Sequence, residues 1–440
     1  MKLVIFTPVT KTSAIGRMAC LVTNALVAHG HEVTVVRTEN EGLLDTPTHD
    51  FDADLIRWND FNKVMSIANM ADTLVYQIGN SYEFHQGCME WLPRLPGLVC
   101  LHDFFLCHLF YGWAQTHRQQ ASAVLNIWYG DEVAGRFFCH NTSEEFIEDT
   151  RSTSPMTEWA CSMAYGVITH SNWGIGRVLN SCPGPVYVVP LAYDASPIRL
   201  NAPPNVYADS NEFLILSVGN INPNKRVASV IRAIGNSCLL RQRAVYRLVG
   251  LIQPEMQLLL SALAEECQVN LVISGEVDGS TLACAFQQAD AVCCLRWPTL
   301  EAASASVIEA LLYGKPTIVT DAGFCRELPN SCVIKIDPGN EINALQTALE
   351  SLCKDMNERH ALGARAQQWA KLTFTSENYS ENLIDMALAV GQTKPVLATV
   401  QYFTNLMGKW AATEDLIEDI IGPLRIFEKT NIGQHQQNVG

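Results

Sequence analysis

Short apolar runs recur along the chain, each closing on a polar or glycine-containing loop, and most are followed by a stretch with helical spacing. Residues 3–6 read as a buried strand, residues 14–29 as a helix ended by Gly30, and residues 32–36 as the next strand. Residues 73–77 and 98–101 continue the series, and residues 166–171 and 186–190 close it. Between residues 104 and 173 the chain is rich in Trp, Phe and Tyr and reads as helical. A second series opens at residues 213–218 and continues with strands at 245–249, 270–274, 291–295, 317–320 and 333–336. Helices are predicted at 255–267, 280–288, 341–353 and 357–372. Apolar strands alternating with helices predict open parallel sheets, one for each series.

At 440 residues the chain exceeds what one ordinary core accommodates. Pro197, Pro203 and Pro204, set among Asn201, Asn205 and Asp209, mark a linker between the series. The reading is a first domain over 1–194, a linker over 195–212 and a second domain over 213–372. A helix follows at 376–390, and residues 391–440 form a largely helical tail without an assignable role.

Composition narrows the classes. With 48% hydrophobic and 17% charged residues the chain is globular. A formal net charge of −15 argues against a nucleic-acid partner and against general attraction to anionic lipid, so any phosphate site must be built locally. The apolar runs fall short of a membrane span and the first residues lack a signal-peptide layout, so a cytoplasmic protein is expected, with peripheral membrane contact left open. The 15 cysteines include no Cys-x-x-Cys pair, which suits a reducing compartment and free thiols.

The candidate chemistry lies where strands end. Residues 297–327 carry Glu301 and Glu309 on either side of small and branched residues, at a loop that turns into a helix. Ser304 is the candidate cap, Val307, Ile308, Leu311 and Leu312 form the apolar face, and Gly314 is the stop. A helix start fed by a strand end leaves backbone N–H groups facing outward, where a phosphate prefers to sit. The strand at 213–218 runs into Gly219 and Asn220, then Lys225 and Arg226, giving a lysine point charge and a planar fork of donors for a diphosphate. His102 and Asp103 follow the 98–101 strand; a neutral imidazole there can donate or accept, and the adjacent carboxylate can fix its tautomer. Gly16 closes the loop after the first strand. The residues alone also fit plainer roles: a solvated lysine, a structural histidine, an ordinary strand-to-helix turn at Gly16. Asp52 and Asp54 form an Asp-x-Asp in a polar segment that reads as a solvated turn. His102, Cys107 and His108 lack the paired spacing of a metal site, and no metal is expected.

The 297–327 stretch resembles the Glu-x7-Glu motif of retaining GT-B glycosyltransferases, most closely family 4. The resemblance implies that Glu301 contacts a donor sugar, that Glu309 holds the nucleoside ribose, and that the backbone at Ala303, Ser304, Ala305 and Ser306 binds the diphosphate. It further implies that His102 lies beneath the donor sugar, and that residues 219–226 match a Gly-Arg-x4-Lys-Gly motif with Lys225 at the lysine. Gly16 matches the family's first glycine-containing loop loosely. This chain departs by having Ala302, Ser304 and Ser306 among the usual glycines and proline, and Asn220 at the usual arginine. The implied fold is α/β of the GT-B type, two Rossmann-like parallel-sheet domains facing a central cleft. Residues 373–390 would cross back onto the first domain, and the tail would be an addition.

The implied function is metal-independent, cofactor-free, retaining transfer of a hexosyl-type sugar from a nucleotide-diphosphate sugar to a hydroxyl acceptor, be it glycan, lipid-linked or a small molecule. The alternatives are a catalytically inactive nucleotide-sugar binding or scaffold protein of the same fold, and a GT-B-fold epimerase.

Overall fold

A computed structural model describes residues 1–195 and 212–410, so nearly all of the 195–212 linker and the chain after residue 410 lie outside the described residues. Seven strands form the first sheet: β1 (Lys2–Thr7), β2 (Glu32–Arg37), β3 (Asp54–Arg57), β4 (Thr73–Ile78), β5 (Leu98–Leu101), β6 (Gly166–Thr169) and β7 (Val186–Val188), in the order β3-β2-β1-β4-β5-β6-β7. Six form the second: β8 (Phe213–Val218), β9 (Ala244–Val249), β10 (Asn270–Ile273), β11 (Ala291–Cys294), β12 (Thr317–Thr320) and β13 (Ile334–Ile336), in the order β10-β9-β8-β11-β12-β13. All the pairings between these strands are parallel. Helices cover both faces of such sheets, so the central strands read as unbroken apolar runs; every residue of β8 and β11 is buried.

Strand order reverses between β1 and β4 in the first sheet and between β8 and β11 in the second. Connections leave in opposite directions at such a point, opening a crevice at the carboxyl ends of the strands. Each domain keeps a core of its own, and a further apolar cluster is shared. It joins Leu3, Ile5 and Ile168 of the first sheet to Leu216, Val292 and Val319 of the second through Tyr193 and Phe374. The helix Ser376–Lys409 completes the shared core with Tyr379, Leu383 and Met386, packing on the helix Ala14–Ala28 and on β6. Gly166 allows that approach: a Cβ there would lie 2.7 Å from Val390 and 2.8 Å from Met386.

Three expectations change. Residues 54–57 form an edge strand in which Ile56 alone is buried, too short and too exposed to leave an apolar run in the sequence. Asp54 opens that strand opposite Thr34 of β2, so the Asp52–Asp54 segment lies toward the amino ends of the strands, away from the crevice. The expected boundary at 390 is absent, because one helix runs from Ser376 to Lys409 through Pro395. Gly391 and Pro395 are both exposed, so neither opens a gap in the core. Among the described residues no helix is long and apolar enough to cross a membrane.

Candidate active site in the interdomain cleft

The loop leaving β11 reaches the helix Ala305–Leu312 through Arg296, Glu301 and Ser304. Ser304 occupies the N-cap position in an extended conformation, but its side chain does not cap the helix; its hydroxyl lies 3.3 Å from that of Ser306. The first-turn amides therefore remain available to a ligand. Tyr313 and Gly314, the latter at φ +68°, end the helix as the sequence predicts.

What brings this loop to the first domain is backbone pairing. Asp103 and Glu301 form an antiparallel bridge, Ala302 N–H donates to the His102 carbonyl at 3.0 Å, and Phe104 and Phe105 both donate to the Leu300 carbonyl at 3.1 Å. Ser171 Oγ donates to the Ala302 carbonyl at 2.7 Å. The carboxyl end of β5 and the Glu301 loop thus form one continuous wall. Within it His102 Nε2 lies 2.7 Å from the Gln77 amide oxygen, an arrangement in which Nε2–H donates and Nδ1 is left as an acceptor. Burial, then the neighbouring His170, holds the His102 pKa well below the ordinary value, so the ring is neutral. Gln77 orients the ring, where the sequence suggested Asp103. Asp103 Oδ2 instead accepts from Asn80 N–H at 2.8 Å, and burial together with Glu301 pushes its pKa up to about 7.

On the second domain, the loop after β8 folds back under itself. Lys225 Nζ donates to the Val218 carbonyl at 2.6 Å and lies below Gly219, where an added Cβ would come within 2.6 Å of the ammonium. Gly219 has φ +103°, a backbone conformation that favours glycine. Burial, then repulsion from Arg296, lowers the Lys225 pKa to about 7, against an opposing pull from Glu301. Trp297 N–H donates to the Asn224 carbonyl at 3.0 Å and the Asn224 amide donates to the Pro298 carbonyl, which ties this loop to the one after β11. Asn220 is exposed and is not part of the cavity wall. Arg226, in the left-handed region at φ 56°, starts the helix Val227–Gly235 and turns its guanidinium onto Glu341, with an Nη2–Oε1 distance of 2.9 Å. The fork of donors expected for a diphosphate is therefore engaged elsewhere.

Glu309 is buried at the junction of the domains, 3.4 Å from Arg17 Nη1. Arg17, from the first turn of the helix Ala14–Ala28, also reaches Asp194 at 2.8 Å and stacks over Tyr193 at 4.6 Å. Gly16 is buried with its Cα close to the Pro8 carbonyl, which a Cβ would approach to 2.7 Å; it permits the tight first loop while Ala14 and Ile15 face the cavity.

These elements enclose a cavity of about 250 Å³ between the two sheets. Of the residues singled out in the sequence, His102, Lys225, Glu301, Ala303, Ser304, Ala305, Ser306 and Gly219 line it; Asn220, Arg226, Gly16 and Glu309 do not. Asp103 lines it too, and so do Arg296 and His170, which were not assigned to the site from sequence. Arg296 had a legible signal, since it is the first charged residue after a buried strand that ends at the crevice. Among the described residues no group of three or more His, Cys, Asp or Glu is arranged to hold a metal ion.

Over residues 201–369 the chain matches the model of the family described as Glycosyl transferases group 1. A comparison with the curated proteins yields no match. Solved structures of similar fold include sucrose-phosphate synthase from Thermosynechococcus elongatus, 15% identical at a TM-score of 0.60 over 91% of this chain and 100% of that one. Another is Anabaena HepE in complex with UDP-glucose, 15% identical at a TM-score of 0.59 over 88% of this chain and 99% of that one. A further one is WaaG, a glycosyltransferase involved in lipopolysaccharide biosynthesis, 16% identical at a TM-score of 0.57 over 87% of this chain and 99% of that one. The chain accordingly shares the GT-B fold of these structures, and over most of its second domain it is similar to group 1.

Proposed function

We propose that the protein is a cytoplasmic retaining glycosyltransferase that moves a sugar from a nucleotide-diphosphate sugar to a hydroxyl acceptor without a metal ion. The observation that carries this reading is the convergence of Lys225, Arg296, an uncapped helix start and Glu301 on one cavity at the switch points of two facing sheets. Cations and helix amides suit a diphosphate, and a carboxylate suits sugar hydroxyls. The match to group 1 glycosyl transferases and the UDP-glucose held by the similarly folded HepE support the same reading.

In the proposed reaction the acceptor hydroxyl attacks the anomeric carbon on the face from which the diphosphate departs. The carbon–oxygen bond to phosphate breaks, the departing phosphate oxygen takes the acceptor's proton, and a nucleoside diphosphate leaves. Lys225 and the helix amides stabilise the charge growing on that phosphate. Neutral His102 offers Nδ1 to the sugar or acceptor without adding charge, and Glu301 orients the sugar.

A panel of nucleotide sugars tests the reading. After exhaustive chelation, slow release of free sugar from one donor is expected, unchanged when manganese is added. Loss of activity that manganese restores would sink the metal-free mechanism, and tight binding with no turnover would favour a binding protein.

The pH dependence follows from Lys225. The ammonium must be charged to meet phosphate, so kcat/KM, which reports the free enzyme, should fall as pH rises through about 7. Bound diphosphate favours the charged form, so the corresponding limb in kcat should lie at higher pH. Asp103 titrates in the same range with Glu301 beside it, so the Asp103→Asn profile separates the two. If the limb disappears in Asp103→Asn, Lys225 is not its source.

A further inference from the structure

Only two cationic side chains line the cavity among the described residues, the buried Arg296 and the half-buried Lys225, whose ammonium sits against the Val218 carbonyl. Two like charges held in a low-dielectric wall repel each other, and the cost is relieved when an anion lies between them. Arg296 is fixed from behind: its backbone N–H donates to Thr320 Oγ1 at 3.0 Å and its Nη1 to the Leu295 carbonyl at 2.8 Å. On the cavity side its contacts are long, with Nε 3.3 Å from Glu301 Oε1 and Nη2 3.3 Å from Ser306 Oγ. Ser306 lies in the uncapped first turn of the helix Ala305–Leu312, so the guanidinium fork and the open amides flank the same spot. The other candidate fork, on Arg226, is turned onto Glu341, and Asn220 offers no charge and is exposed.

Building on the reading above, we propose that Arg296 is the second cation of the diphosphate subsite. It grips the phosphates together with Lys225 and the helix start, and it supplies from the β11 loop the charge that the β8 loop lacks at Asn220. In this structure Glu301 is its partner. When the diphosphate arrives, Arg296 turns its fork onto phosphate and releases Glu301 toward the sugar. The role fits arginine specifically, since a planar fork can meet two phosphate oxygens while its Nη1 stays on the Leu295 carbonyl.

Titration calorimetry of UDP, GDP, ADP and CDP against the wild-type protein first identifies the diphosphate it binds, and the matching nucleoside monophosphate gives a reference. Arg296→Met should weaken the diphosphate by roughly 10- to 100-fold, the loss typical of a charged hydrogen-bonding partner, and the monophosphate less. Arg296→Lys should recover part of the loss, and Arg296→Gln, which keeps a donor for Ser306 but no charge, should behave like Arg296→Met. Circular dichroism checks that each variant is folded; should Arg296→Met fail to fold, the contrast between Lys and Gln decides. Diphosphate affinity unchanged in Arg296→Gln would overturn the inference and leave the proposed function standing. A wild-type protein that binds none of the four diphosphates would overturn both.

Discussion

Replacing Lys225 with methionine is expected to lower turnover by about 10²-fold or more, with a smaller effect on binding of the nucleoside diphosphate. The ammonium is held by the Val218 carbonyl at 2.6 Å beneath Gly219, at the carboxyl end of β8, so its position is set before any ligand arrives. A preset charge that faces developing negative charge pays no reorganisation at the moment of bond breaking and acts mainly on kcat. Methionine keeps most of the chain length and apolar contact of the lysine stem, which confines the change to the charge. Steady-state kinetics with the donor found in the panel would measure it. A fully active Lys225→Met variant would place the diphosphate elsewhere and remove the β8 loop from the site.

The second large effect concerns stability. Glu39, fully buried just after β2, accepts hydrogen bonds from Val9 and Thr10 N–H at 2.7 and 2.8 Å through one oxygen and contacts Arg37 Nε at 3.4 Å through the other. It therefore pins the loop after β1, the same loop that presents Ala14 and Ile15 to the cavity. Glu39→Ala would leave two amides and a buried guanidinium without this partner, and removing one member of a buried charged pair costs about 3–5 kcal/mol. For a domain of this size that corresponds to a fall in melting temperature of roughly 10 °C. A second change, Arg37→Met, should return part of the loss because it removes the stranded charge. A melting temperature within about 2 °C of wild type in Glu39→Ala would show that the loop is held by other contacts.

Much of the architecture is legible in the sequence because parallel sheets covered on both faces demand continuous apolar strands. β8 and β12 fall at the residues read from the pattern, and β1, β2, β4, β9 and β11 differ by a residue or two at their ends. The same reasoning locates the loops at the strand ends, hence Lys225, His102 and Glu301. β3 escaped because an edge strand with one buried residue carries no such run. The continuation of the last helix past residue 390 escaped because Gly391 and Pro395 look like a boundary unless one knows they face outward.

The sequence by itself determined which residues stand at the carboxyl ends of two parallel sheets, since spacing within a strand, loop or helix start is a local property. Only the tertiary structure decided which of them meet. Arg17 and Glu309 are 292 positions apart and come within 3.4 Å only because a core shared by both sheets and the crossing helix presses the domains together. Arg226 follows Lys225 immediately, yet its left-handed backbone and Glu341 carry it out of the cleft, while Arg296, some seventy residues on, takes its place beside Lys225. Contacts across a cleft depend on how two separately folded surfaces dock and on which carboxylate each guanidinium finds, and local periodicity encodes neither.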